Sequence, residues 1–270
     1  MTSSPSAWLG RGLGKLHAYT LTQVYRVEQH VFDWYSGAET AGCAETGVDA
    51  YNSDTENWKY LGCQWPALSF VLKDLPCDGT FVDLGSGKGK ALLIAAMLPY
   101  TRVVGVEIDN GLSMVAQRNI ERFRHRRRTG IIESVTASVV DWKVPDDVCV
   151  VLMHNPFFGE TFRNAMANVF DSYDRNPREL HIVYMFPWEH EWLLSTGRVM
   201  VESVSSEGWP KHLRWWDDEH VNVVYHVTGE GQSSTQCRST RRRASGARRK
   251  ALERWRTPSA HDFTVERNPI

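Results

Sequence analysis

The stretch "FVDLGSGKGKALLIAAMLP", residues 81–99, constrains this chain more than any other. A short apolar strand runs into an acid, three glycines fall at every second position, and an apolar helix follows at once. Glycine tolerates positive backbone angles and lets a ligand approach the main chain closely, and the helix start beyond it presents free backbone N–H groups. The spacing is G-x-G-x-G, whereas the dinucleotide fingerprint is G-x-G-x-x-G. With Asp83 two residues before the first glycine, the loop suits a smaller nucleoside ligand that has no pyrophosphate.

Around this loop, strands and helices alternate. Strands are expected at 80–84, 102–107, 132–139, 148–153 and 180–186, with helices at 88–98, 110–127 and 158–172 and a shorter one near 188–195. Near-continuous apolar strands such as "RVVGVEI" and "VCVVLM" suit a parallel sheet covered on both faces. Right-handed crossovers then place a ligand at the carboxyl ends of the strands. Two last strands, 198–205 and 220–227, are expected to form an antiparallel hairpin at the sheet edge, separated by the aromatic-rich "GWPKHLRWWDD". Upstream, the periodicity predicts a helix over 14–35 with Leu16, Tyr19, Val24, Val27, Val31 and Phe32 on one face, and a second over 65–75 opened by Pro66. This divides the chain into a helical and loop cap at 1–59, a main domain at 60–228 and a basic tail at 229–270.

At 270 residues, with 42% hydrophobic and 23% charged residues, the composition is that of a soluble globular chain, expected to be cytosolic. No apolar run approaches the ~20 residues of a membrane span, so no membrane partner is expected. Five scattered cysteines without C-x-x-C spacing fit reduced thiols, and ten histidines form no H-x-x-x-H pattern, so no metal is expected. The net charge of −1 is unevenly spread: residues 229–270 hold ten Lys or Arg against four acids, a balance of +6, which leaves −7 for the rest. That tail, with "RSTRRRASGARRK", has the composition of a disordered extension; binding of nucleic acid through it is an alternative that is not favoured.

Five parallel strands ending in an antiparallel hairpin, with D-x-G-x-G-x-G after the first strand, resemble the class I, Rossmann-like S-adenosylmethionine-dependent methyltransferases. The resemblance covers about residues 60–228 in layout, and "FVDLGSGKGK" is its most specific motif. It implies S-adenosylmethionine as cofactor, with Gly85, Ser86 and Gly87 meeting the methionine part and ribose and Asp83 positioning the amino end. It also implies that Glu107, closing the second strand in "VVGVEID", accepts the ribose hydroxyls, as the acid does in dinucleotide folds. Asp109 is the weaker candidate because it can cap the next helix. In "TASVVDW", either Ser138 or Asp141 faces the adenine amino group. Tyr60 and Trp65 are either pocket walls or core packing.

"VLMHNPFFGE" ends the fourth strand. His154-Asn155-Pro156-Phe157-Phe158 resembles the N-P-P-[FY] motif of amino methyltransferases, without its second proline. The resemblance implies that Asn155 and the Pro156 segment hold an amine while Phe157 lies against the acceptor. Asn155, Phe157 and Gly159 also resemble the N-x-F-x-G loop of the nucleosomal lysine methyltransferases that lack a SET domain. His154 is a candidate base for an oxygen or carbon acceptor. The expected activity is therefore methyl transfer to a nitrogen of a small molecule or protein, with a lysine acceptor as the alternative. A cofactor-binding, nucleic-acid-associated protein without turnover is the reading of a different class. A nicotinamide oxidoreductase fails on the glycine spacing.

Overall fold

Seven strands form a single sheet in the order β3-β2-β1-β4-β5-β7-β6. The computed structural model describes residues 23–42, 57, 60–125, 127–205 and 221–230. The strands are β1 (Thr80–Leu84), β2 (Arg102–Glu107), β3 (Ile131–Thr136), β4 (Val148–Met153), β5 (His181–Met185), β6 (Val199–Ser205) and β7 (Asn222–Val227). Neighbours from β3 through β5 pair parallel, and β7 runs antiparallel to both β5 and β6. This is the Rossmann-like sheet expected from the alternation of elements. The basic tail and the segment between β6 and β7 lie outside the described residues.

Why the sheet takes this form follows from its side chains. Every residue of β1, β4 and β5 is buried, as befits strands covered on both faces. By contrast, β3 is only partly buried and lies at the edge, where Glu133 pairs with Arg102 across the strands at 2.8 Å. Helix α5 (Gly159–Arg175) presents Phe162, Ala165, Met166, Val169 and Phe170 to the core, the spacing of one helical face. Phe162 stacks on Tyr184 of β5 with ring centroids 5.3 Å apart. A further core layer joins Leu68 and Leu72 of α2 (Trp65–Leu72), Leu92 and Leu93 of α3 (Lys90–Ala95), and Phe81, Val150 and Leu152 of the strands.

Several element ends move inward from their expected positions for local reasons. Helix α3 begins only at Lys90 because Gly89, at φ 80°, still belongs to the loop. Helix α4 (Asn110–Arg122) stops five residues short of 127, at Phe123, whose backbone is extended; the next N–H, of Arg124, donates to the carbonyl of Ser36. Strand β3 ends at Thr136, and the carbonyl of Ser138 then accepts from the N–H groups of Asp141 and Trp142 in a turn.

The first helix, α1, covers residues 23–36 among those described. Its docked face differs from the one the apolar pattern indicates. Phe32 is buried, but Val27 is 62% and Val31 48% exposed. The helix is instead turned so that Glu28 reaches Lys90, with the ammonium 2.9 Å from both carboxylate oxygens and both side chains almost wholly buried. Lys90 also lies over the Phe32 ring, 5.0 Å from its centroid, and Glu28 accepts the N–H of Trp65 at 2.9 Å. One carboxylate thus joins α1, the start of α2 and the helix that follows the glycine loop. Removing one partner of such a pair leaves an uncompensated buried charge, which typically costs roughly 3–5 kcal/mol. Glu28→Ala should therefore lower the urea unfolding free energy by an amount of that order, and Glu28→Leu combined with Lys90→Met should recover most of it. If Glu28→Ala unfolds at the wild-type midpoint, the pair does not hold α1 in place.

Candidate active site

The carboxyl ends of β1, β2 and β4 border a cavity of about 200 Å³. Register places its walls: Asp83 of β1 lies opposite Gly105 of β2 and Leu152 of β4. This edge contains the switch in strand order at β1 and β4, where open α/β sheets hold their ligands.

The glycine loop lies at the cavity's first wall. Gly85 and Gly87 both have positive φ, 81° and 52°, and both are closely covered. A Cβ on Gly85 would stand 2.3 Å from the Cβ of Pro156, and one on Gly87 would stand 2.2 Å from the Tyr60 ring. These two positions need glycine for angle and for space alike. The N–H groups of Gly85 and Ser86 both donate to the carbonyl of Val106, at 2.8 and 3.1 Å. The Ser86 hydroxyl is buried, without a hydrogen-bond partner among the described residues.

Three acids, Asp83, Glu107 and Asp109, line the cavity. The Glu107 carboxylate accepts the N–H of Gly87 at 2.8 Å through one oxygen and that of Asp109 at 2.9 Å through the other. Burial raises its pKa, while those two donors pull in the opposite direction. Asp83 is 4% exposed and accepts no hydrogen bond among the described residues. Burial first, and then repulsion from Glu107, push its pKa up to about 8. Such a carboxyl matches a cationic partner: a positive charge beside it would restore its ordinary acidity. Asp109 is occupied otherwise, capping α4 by accepting the N–H of Leu112 at 2.8 Å.

At the far wall, Ser138, Val139 and Val140 line the cavity. Asp141, three residues on, is exposed and does not line it. The fourth-strand loop closes the remaining side with His154, Asn155, Pro156 and Phe157. Asn155 has φ 46°, unusual for a residue other than glycine, and its Oδ1 accepts from the Tyr184 hydroxyl at 3.3 Å. Phe157 is buried, 6.4 Å ring to ring from Phe162. His154 stands 3.1 Å through Nδ1 from the carbonyl of Leu61, so the proton sits on Nδ1. Desolvation, the largest cause, pushes its pKa down to about 4, with Lys90 adding to the effect.

A strap of residues before β1 crosses this mouth. Asn57 pairs with Phe157 in an isolated antiparallel bridge, Leu61 holds His154, and Tyr60 donates its hydroxyl to the carbonyl of Thr40 at 2.9 Å while its ring covers Gly87. Cys63, also in the wall, has its thiol pKa pushed up to about 12, chiefly by burial. Trp65 is not in the cavity wall; it stacks on Tyr35 at 4.9 Å. The sequence motifs do not identify the strap, because its residues act through backbone groups and ring faces that carry no spacing signature.

Could the residues present hold S-adenosylmethionine? The cradle is one that a Cβ at Gly85 or Gly87 would fill, an acid without a partner among the described residues faces it, and a second acid accepts the loop's Gly87 N–H. These features suit a ligand with an ammonium group and a ribose. The fit makes a testable statement about the free protein. The Asp83 pKa rises from its ordinary value near 4 to about 8 on folding, so between those values the native state binds the extra proton. The contribution of Asp83 to stability is therefore retained at low pH and lost as pH rises from about 4 to 8. Asp83→Asn should unfold at a nearly constant temperature across that window relative to wild type, whose loss should be read as a falling difference between the two. A wild-type to variant difference that stays flat from pH 4 to 8 would show that Asp83 is ionised throughout.

One family model matches the chain across this edge. The family model described as "Histone methylation protein DOT1" matches residues 62–176, from the strap through α5. No curated protein matches the chain. Among solved structures, the chain is similar to a TehB-like S-adenosylmethionine-dependent methyltransferase from Corynebacterium glutamicum, with 11% identity, TM-score 0.43, and 61% of this chain and 87% of that chain covered. It is also similar to phosphoethanolamine N-methyltransferase 1 of Haemonchus contortus in complex with phosphoethanolamine and S-adenosylhomocysteine, at 14% identity and TM-score 0.45, over 62% of this chain and 43% of that one. A third is the ribosomal protein L11 methylase of Lactobacillus delbrueckii subsp. bulgaricus, at 11% identity and TM-score 0.43, over 62% and 78%. Among the described residues no helix is long and apolar enough to cross a membrane. With an acid, a glycine loop and a second acid on one sheet edge, and with the family match spanning that edge, the chain resembles the class I S-adenosylmethionine-dependent methyltransferases and is read as an enzyme of that chemistry.

Proposed function

We propose that the protein methylates a nitrogen atom, and that residues 60–228 form the catalytic domain with residues 1–59 as its cap. The observation that carries this reading is Asn155: a left-handed residue at the end of β4, facing the same cavity as Asp83, Gly85 and Glu107. S-adenosylmethionine, when bound, supplies a methyl group on a positively charged sulfur. Asp83 would hold the cofactor's ammonium, the loop at Gly85, Ser86 and Gly87 would meet its methionine and ribose, and Glu107 would use its remaining lone pairs for the ribose hydroxyls. Ser138 is favoured over Asp141 for the adenine edge because it lines the cavity.

Delivery of that methyl group to a nitrogen, which would give up a proton in exchange, would ask the chain to hold donor and acceptor in line. Alignment and exclusion of water therefore supply most of the rate. Asn155 Oδ1 and the backbone beside Pro156 would accept the acceptor's N–H groups, and Phe157 would shield the reacting atoms. His154 holds the strap through Leu61, and its depressed pKa makes it a poor proton acceptor near neutral pH, which favours nitrogen over oxygen or carbon as the methyl acceptor.

A second reading narrows the acceptor to a protein lysine. What favours it is the DOT1 family match together with Asn155, Phe157 and Gly159 in the N-x-F-x-G arrangement. Tritiated S-adenosylmethionine offered with core histones, total RNA and a small-molecule extract separates these acceptors. Label is expected in amines of protein or small molecules, and Asn155→Ala should lose most transfer while keeping its affinity for S-adenosylhomocysteine. Wild-type activity in Asn155→Ala, or label on oxygen or carbon alone, would overturn the proposal.

A further inference from the structure

We propose that Tyr184 is a positioning residue: its hydroxyl sets which way the Asn155 carboxamide faces and leaves the second lone pair of Oδ1 for an N–H group of the methyl acceptor. The inference rests on the assignment of Asn155 above and adds the residue that orients it. Tyr184 lies near the carboxyl end of β5, opposite Met153 of β4, and is wholly buried against Phe162. Its hydroxyl meets the backbone N–H of Glu189 at 3.4 Å, with that of Trp188 beside it, and Oδ1 of Asn155 at 3.3 Å.

Direction follows from what each group can do. The Glu189 backbone N–H can only donate, so the Tyr184 oxygen accepts there and its own hydrogen passes on to Asn155. A carboxamide turned the other way would set its NH₂ against a hydroxyl whose hydrogen then has no acceptor. The amide oxygen is thereby selected as the end facing the hydroxyl. Burial raises the Tyr184 pKa above that of an ordinary phenol, so the hydroxyl keeps the proton this chain of bonds requires.

Both neighbouring loops are fixed independently. The Glu189 carboxylate accepts the N–H of Gly159 at 2.8 Å, which ties the segment after β5 to the first residue of α5. Asn155 itself is held in a left-handed conformation. With the backbone set on both sides, the carboxamide torsion is the freedom that remains, and the Tyr184 hydroxyl is the group that limits it. At 3.3 Å the bond is long, so the expected effect is graded rather than absolute. Tyr225 of β7 offers a matched control, because its hydroxyl pairs with Nδ1 of His190 at 2.5 Å.

The test uses the full chain. The side-chain amide resonances of Asn155, assigned by their loss in Asn155→Ala, should shift in Tyr184→Phe and stay in place in Tyr225→Phe. In the tritium assay with core histones and small-molecule extract, Tyr184→Phe should lower transfer roughly five- to tenfold, the value of about one hydrogen bond. Affinity for S-adenosylhomocysteine should remain within about twofold, and adding Tyr184→Phe to Asn155→Ala should change transfer no further. Unmoved Asn155 resonances in Tyr184→Phe, or substitutions whose effects multiply, would overturn the role of Tyr184 and leave that of Asn155 standing. Wild-type transfer in Asn155→Ala would overturn both.

Discussion

The Glu107 carboxylate holds together two chain segments that both need to be where they are. One oxygen takes the N–H of Gly87 in the middle of the glycine loop, the other the N–H of Asp109 at the start of α4. A buried carboxylate is costly unless its lone pairs are met, and here two backbone donors meet them while leaving others open toward the cavity. Those donors also set the shape of the loop, with Gly85 pressed against Pro156 and Gly87 beneath Tyr60. The glycine loop and the fourth-strand loop are therefore in direct contact.

A second buried charge, Lys90, lines the same cavity and pairs with a residue of α1. Its pairing with Glu28 docks α1 behind the loop, and the residues after that helix complete the attachment. Lys88 donates to the carbonyl of Ala41, and Asn119 of α4 spans Lys88 and Glu39. The segment before β1 then runs as a strap from Tyr60 and Leu61 to the fourth-strand loop. The segment before β1 thus borders the cavity through the Leu61 carbonyl and the Tyr60 ring rather than through acids or bases.

How much of this could be read from the chain alone depends on the kind of interaction. The sheet was legible, because buried parallel strands are continuous apolar runs and the glycine loop marks where the first one ends. The acids Asp83 and Glu107 were legible for the same reason, since a strand end is a defined place. Ser138 and Asp141 could not be separated by sequence, because the turn that exposes Asp141 is made by backbone hydrogen bonds to Ser138. The face of α1 was misread. Apolar spacing pointed to Val27 and Val31, and the decisive contact is an ion pair between residues 62 positions apart, which periodicity does not register. Tyr184 lay on the expected sheet edge, but its link to Asn155 depends on the register between β4 and β5.

The central claim is that this edge of the sheet is a site for S-adenosylmethionine and not for a dinucleotide. Titration calorimetry of the full chain with S-adenosylhomocysteine and, separately, with NADH tests it most directly. Saturable heat is expected with S-adenosylhomocysteine and none with NADH, and Glu107→Ala should bind more weakly by roughly 1–3 kcal/mol from lost hydrogen bonds to a charged group. Saturable binding of NADH with no heat from S-adenosylhomocysteine would contradict it.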